Sequence, residues 1–217
     1  MPFIAARRLI VTVLALSAAL IGPLLGAAEA PPSLRGEFLI ATPAMRDPRF
    51  EHAVILMVRH DSDGALGIVI NRPLGEKPLA DLLAAFGNKD ATASGNVRIF
   101  LGGPVQPEVS FVIHGADYRR QETLDIDARL AATPAGEVVR DIARNSGPMK
   151  SLIAFGYAGW APRQLENELA RNVWYTAPAY PALVFDDDRE KLWEHAIARR
   201  KHLMLLDGAS NMGGEFR

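Results

Sequence analysis

The chain has 217 residues, enough for one well-packed domain and short for two. Its composition, 49% apolar and 23% charged, suits a globular protein, and a formal net charge of −1 gives no general pull toward nucleic acid or anionic lipid. It contains no cysteine, which excludes disulfides, thiolate zinc sites and a cysteine nucleophile.

The first thirty residues differ from the rest. Arg7 and Arg8 are followed by an apolar run over residues 9–25 and then by Gly26, Ala27 and Ala28. A basic start, an apolar centre and small residues at the cut are the layout of a signal peptide. A cut after Ala28 reads better than one after Ala30, which would leave Pro31 directly behind the scissile bond. The alternatives are an uncleaved anchor helix, because the run approaches the roughly 20 apolar residues that span a bilayer, and a misassigned start. Loss of residues 1–28 removes Arg7 and Arg8 and no acid, taking the formal charge from −1 to −3. The expectation is an exported, periplasmic protein, or a cytoplasmic one if the start is wrong. Membrane contact would come only through an uncleaved leader.

Residues 29–35 read as a linker, residues 36–205 as the domain, and residues 206–217 as a Gly-rich, polar tail that frays from about Asp207. Within the domain, residues 38–41 form a short strand. Residues 53–59 and 65–70 are rich in Val, Ile and Leu and flank Asp61-Ser62-Asp63-Gly64, so they predict a hairpin. That turn also resembles the opening of a calcium loop, but the residues after Gly64 supply no further oxygen ligands. Leu79, Leu82, Leu83 and Phe86 fall on one helical face, ended by Gly87. Residues 99–101 and 110–114 predict further strands. Ala135, Val138, Val139 and Ile142 repeat the helical spacing, with Thr133 as N-cap and Pro134 at the first position. Residues 152–157 form a strand that leads through Gly156-Tyr157-Ala158-Gly159-Trp160, a strand-to-helix corner, into a helix over residues 163–172. A last helix covers residues 189–200, capped by Asp187 or Asp188. Strands and helices mix without strict alternation, which predicts a single mixed α/β domain containing an antiparallel hairpin.

Candidate functional residues are scattered. His52 and His60 lie at opposite ends of one strand, too far apart to share a metal. His60 and His114 end different strands and could meet at a polar site. Asn71-Arg72-Pro73 closes the strand over residues 65–70, Pro73 ending its ladder and Arg72 presenting a planar charged fork suited to a carboxylate or phosphate. Gly102 and Gly103 could approach an anion through their backbone N–H groups. Tyr157 and Trp160 pack among small residues, and Gln164 shares a helix face with Glu168. No serine elbow, zinc-protease pair or kinase set is present, and no basic stripe with interleaved aromatics.

These segments, in this order, resemble the YqgE/AlgH family. The carriers are Phe38-Leu39-Ile40-Ala41-Thr42-Pro43 with Asp47-Pro48, His60, the run 64–73, and Leu101-Gly102-Gly103-Pro104-Val105. Phe111-Val112-Ile113-His114, residues 156–160 with Gln164-Leu165-Glu166, Trp174 with Pro178, Leu183-Val184-Phe185 and Trp193 complete the series. The resemblance implies a single domain whose bifurcated mixed β-sheet folds into a pseudo-barrel flanked by helices. It implies no cofactor and no catalytic mechanism, and it brings a label of transcriptional regulator. One departure is Arg163, where the family usually has a small residue or Gly, so a pocket there would be altered or partly filled. The leader is the other, since an exported protein cannot meet the chromosome. The first functional expectation is therefore a non-enzymatic binding or regulatory module acting through a small ligand or a protein partner. The alternative is an enzyme of unrecognised type using a polar cleft around Arg72, His60 and His114.

Overall fold

Strand β1 (Glu37–Ala41) is apolar from Phe38 on and strand β2 (Val54–Asp61) is apolar from Val54 to Val58, and over these stretches both faces are covered. Phe38, Ile40, Val54, Leu56 and Val58 point into one core, while Leu39, Ala41, Ile55 and Met57 point into another. A computed structural model describes residues 32–88 and 93–212 of the chain, with side chains described up to Leu206. The leader expected over residues 1–28 lies outside the described residues. Among those described, no helix is long and apolar enough to cross a membrane.

The remaining strands are β3 (Gly64–Val69), β4 (Pro73–Pro78), β5 (Asn96–Leu101), β6 (Val105–Gly115), β7 (Leu124–Asp125), β8 (Leu130–Pro134), β9 (Ser151–Trp160) and β10 (Trp174–Pro178). They form one mixed sheet in the order β10-β1-β2-β3-β9-β6-β8-β7, with a β4–β5 ribbon attached to β9. All pairings are antiparallel except β5 on β9. Among the described residues, five helices flank the curled sheet: α1 (Leu79–Ala85), α2 (Ala135–Ala143), α3 (Gln164–Ala170), α4 (Pro181–Val184) and α5 (Leu192–Met212). Inside the curl, Phe100, Ile113, Leu130 and Leu152 meet Val184 of α4 and Leu192 and Ala196 of α5. Outside it, α1 and α2 cover Ile99, Val112 and Ile153, and Leu165 of α3 packs with Ala158 and Trp160.

The sheet forks at β9. On one edge, residues Ile153, Ala154 and Phe155 pair with β5, and residues Ala158, Gly159 and Trp160 pair with β3. The hand-over falls at Gly156, whose φ of 72° is a left-handed conformation favouring glycine. There the Gly102 N–H donates to the Phe155 carbonyl at 2.7 Å, and the Gly102 carbonyl accepts from the Val69 N–H at 2.8 Å. One residue thus bridges the branches.

Several local expectations are corrected. Residues 156–160 continue β9 and make no strand-to-helix corner, because Gly156 re-aims the strand without ending it. Thr133 does not cap α2. It lies in β8, Pro134 takes the N-cap position, and the Thr133 hydroxyl is engaged by His114. Pro73 opens β4 where it was expected to end the ladder; the first position of a ribbon strand tolerates a missing N–H. Strand β4 itself has all six residues exposed, so no alternation marks it in the sequence. Helix α5 starts at Leu192, where the Asp188 carboxylate accepts from the Lys191 N–H at 3.3 Å, and it runs on to Met212 through residues expected to fray. The hairpin forms as expected, with Asp61 opposite Gly64 and an Asp61 side-chain bond to the Asp63 N–H.

The fork generates a stability prediction. A Cβ at Gly156 would lie 2.4 Å from the Gly103 carbonyl oxygen, and one at Gly103 would lie 2.2 Å from the Tyr157 carbonyl carbon. Gly156→Ala therefore combines a backbone clash with a left-handed alanine, and urea denaturation followed by circular dichroism should show a loss of about 3 kcal/mol or more. A loss below about 1 kcal/mol would mean that the branches slide apart without penalty.

Candidate functional site

The three residues of the expected polar cleft do not meet. His60 is buried at the hairpin end of β2, where its Nδ1 accepts from the Leu34 N–H at 3.0 Å. The proton is therefore on Nε2, which donates to Glu166 of α3 at 3.0 Å. This imidazole fastens the incoming chain and α3 to the hairpin. His114 is fully buried where β6 pairs with Ser151, the first residue of β9. Its Nδ1 donates to the Gly115 carbonyl at 2.7 Å, so Nε2 accepts from the Thr133 hydroxyl at 2.8 Å. The Thr133 oxygen in turn accepts from Thr123 at 2.8 Å, while the Thr123 oxygen accepts from the Arg120 N–H, which closes a saturated polar chain. Asn71 and Arg72 lie at the opposite end of the β2–β3 hairpin from His60. Asn71 donates to the His52 carbonyl and accepts from the Val54 N–H, and Arg72 donates to the Glu51 carbonyl at 3.0 Å. Both histidines are thus spent on structure.

A different group of residues does converge. The loop after β1 is shaped by short polar turns: the Thr42 hydroxyl accepts from the Ala44 N–H, and Asp47 accepts from the Arg49 N–H. It carries Met45, Arg46, Asp47, Arg49 and Phe50 over β9, α3 and the start of β10, enclosing a cleft of about 570 Å³. Phe50, Trp160 and Trp174 line it, with Trp174 edge-on to both other rings at centroid distances of 5.8 and 6.2 Å. Glu168 organises the floor. Its Oε2 accepts both indole N–H groups, from Trp160 at 2.9 Å and Trp174 at 2.8 Å, and its Oε1 accepts the Gln164 amide at 3.0 Å.

Charge in the cleft is unequal. Arg46, Arg49 and Arg171 face Asp47 and Glu168. Both acids are committed, Glu168 to the indoles and Asp47 to the Arg49 guanidinium, which holds its carboxyl below the usual range. Arg46 and Arg171 have no carboxylate partner among the described residues. A small adjoining pocket of about 80 Å³, sharing Arg49 and Pro104, brings in Arg72 and Gly103. Burial pushes the Arg72 guanidinium below its usual value, against the pull of Asp47 and Glu51. Trp160, Gln164, Arg72 and Gly103 thus border one connected surface. Gly102 is consumed by the fork, and the Tyr157 hydroxyl donates to Gln106 at 3.2 Å outside the cleft lining.

The AlgH-like family profile matches residues 38–203. The chain belongs to the AlgH-like family. A UPF0301 protein of Jannaschia sp. (strain CCS1) is 43% identical over 166 residues, covering 76% of this chain and 86% of that protein. One from Rhodospirillum rubrum is 42% identical over the same length. The solution structure of the AlgH protein from Pseudomonas aeruginosa is similar at a TM-score of 0.67 and 42% identity, over 78% of this chain and 90% of that one. A crystal structure from Corynebacterium diphtheriae, 22% identical with a TM-score of 0.61, shares the fold.

Membership in the AlgH-like family puts the departure at Arg163 in physical terms. Arg163 has φ 64°, a left-handed conformation in which a small residue or Gly is at ease. Its side chain is exposed and does not line the cleft, so the expected partial filling does not occur. The cleft residues that the sequence did not mark as binding candidates, Arg46, Arg49, Phe50, Arg171 and Trp174, come from segments more than 100 residues apart. The Asp47-Pro48 pair of the AlgH-like pattern was the one local sign of a shaped loop.

His114 yields a pH prediction. Burial pushes its imidazole below the usual value, opposed by the Gly115 carbonyl and by Asp117. The unfolded chain then binds this proton at higher pH than the folded chain, so the contribution to stability is full above about pH 6.5 and declines as pH falls from there toward the folded value. Denaturant unfolding at pH 7.5 and 5.5 should show a His114-dependent slope of up to about 1.4 kcal/mol per pH unit. His114→Gln, which keeps an acceptor for Thr133, should remove that component. Parallel pH curves for the two proteins would contradict it.

Proposed function

We propose that this AlgH-like protein is a non-enzymatic binding module with a regulatory role, whose aromatic cleft takes a small anion carrying a flat apolar body. The observation that carries this reading is the pairing of Arg46 and Arg171, both without a carboxylate partner among the described residues, with a floor of Trp160, Trp174 and Phe50. A guanidinium beside an aromatic face suits an anionic group attached to a ring: the ring rests on indole and the charge meets the fork. Glu168 repels a second acid placed low in the cleft, which orients the ligand with its anion outward. The separate hydrogen-bond partners of Arg72, His60 and His114 favour this reading over an enzyme built on those three residues.

The test uses the fluorescence of Trp160 and Trp174. Titration with a panel of aromatic carboxylates and aryl phosphates should give a saturable change for at least one member and raise the thermal midpoint with concentration. Arg171→Ala with Arg46→Ala should weaken that member by about tenfold, as loss of charge-assisted bonds implies. A panel without any saturable response, or a response indifferent to both arginines, would remove the cleft as a ligand site and leave a protein partner.

The leader pattern supports export to the periplasm, where such a module would sense a ligand away from the chromosome. N-terminal sequencing of the native protein from cell fractions should find a periplasmic chain beginning after Ala28. An intact cytoplasmic chain would overturn export and reopen regulation at DNA.

A further inference from the structure

Arg189, between α4 and α5, is 8% exposed and has no carboxylate within ion-pair distance among the described residues. Its Nη1 donates to the backbone carbonyls of Val184 at 2.9 Å and Ile70 at 3.4 Å, and its guanidinium lies 5.0 Å over the Phe100 ring. The other edge is different: Nε is buried without a hydrogen-bond partner. Nε and Nη2 form the edge with which an arginine grips a carboxylate side-on. Elsewhere in this chain that edge is filled by an aspartate: Asp47 on Arg49, Asp141 on Arg120 and Asp127 on Arg129.

The surroundings add positive charge. Arg189 lines a cavity of about 480 Å³ between the β4–β5 ribbon, the start of β9 and the α4–α5 segment. Arg98 and Lys150 stand at this cavity, with Phe100, Ile153 and Phe185 as apolar wall. Burial pushes the Arg189 guanidinium below its usual value, against the longer-range pull of Asp186 and Asp187, while Arg98 acts in the same direction as burial. The group stays charged at neutral pH all the same. The acids nearby are Glu76, exposed on β4, Asp187, whose side chain is fully exposed and 3.8 Å from Arg98, and Asp186, which accepts from the Asp188 N–H and lies 3.6 Å from His195. A buried cation whose carboxylate-binding edge meets no protein acid is stabilised by an anion supplied from outside.

We propose that this cavity is a second binding site, for a small ligand that presents a carboxylate or phosphate to the Nε/Nη2 edge of Arg189 and rests an apolar portion on Phe100 and Phe185. It shares no lining residue with the aromatic cleft and does not depend on it. The rim charges of Arg98 and Lys150 draw the anion in, and Arg189 fixes its orientation.

The test titrates the full chain, labelled with nitrogen-15, with inorganic phosphate and separately with acetate, chloride holding the ionic strength constant. The Nε–H resonance of Arg189, assigned by its loss in Arg189→Lys, should shift saturably with at least one anion. Phosphate alone assigns phosphorylated ligands, acetate alone assigns carboxylates, and both assign an oxyanion site of either source. Arg189→Gln should weaken binding at least about tenfold, the effect of a lost charge-assisted bond. Arg98→Ala with Lys150→Ala, at the rim where folding is not at stake, should weaken it about threefold or more by removing charge attraction. Arg46→Ala with Arg171→Ala should leave it unchanged. Absence of a saturable shift with either anion, or a shift that survives the rim pair and instead follows Arg46 and Arg171, would overturn the proposal.

Discussion

The contact on which this structure depends is made without side chains. Where β9 changes partner from β5 to β3, the backbones of Gly102, Gly103 and Gly156 lie against one another, too close for a Cβ on any of the three. The Gly102 peptide fills the gap, donating to β9 and accepting from β3, so both of its backbone groups are paired at the branch point. Because the fork sets the direction of both branches, it fixes two surfaces. On one side, the re-aimed end of β9 presents Trp160 to α3 and β10. On the other, the β4–β5 ribbon stands away from the curl and leaves the cavity at Arg189.

Buried polar groups divide between those that close on themselves and those that do not. His60 and His114 each have both ring nitrogens satisfied by protein atoms, and Glu168 is saturated by two indoles and an amide. Such groups lock elements in register: α3 to β2, β8 to β6, and β10 to β9. The arginines show the contrast. Arg49, Arg59, Arg98, Arg119, Arg120 and Arg129 each pair with an aspartate, whereas Arg46 and Arg171 in the cleft and Arg189 in the second cavity have no acid partner among the described residues. In a saturated scaffold, that surplus of positive donors is where chemistry with an outside partner has room to occur. The two proposals together give this chain two separate anion-binding surfaces that share no lining residue.

How much could be read along the chain depended on whether the signal was local. Apolar runs bounded by glycine and proline marked β1, β2, β3 and β9, and the 3.6-residue spacing marked α1, α2, α3 and α5, because burial of a face writes its period into neighbouring residues. Strand β4, exposed at every position, wrote none. Thr133 before Pro134 carried a helix-cap signature, yet a buried histidine competed for its hydroxyl and prevailed. Gly156 to Trp160 carries the local signature of a corner, but its glycines serve close approach between strands.

The same division holds for the site. The sequence by itself determined a mixed α/β domain of the AlgH-like pattern, the hairpin at Asp61 to Gly64 and the residue types available for binding. Trp160 and Gln164, close in the chain and on adjoining elements, could be placed together from it. Only the tertiary structure decided that His60, His114 and Arg72 stay apart, that Trp174 and the loop around Arg46 close over Trp160, and that Arg189 is buried without an acid. The physical reason is that hydrophobic period and turn chemistry act between neighbours a few residues apart, whereas electrostatic pairing acts through space and is settled by which strands lie beside one another.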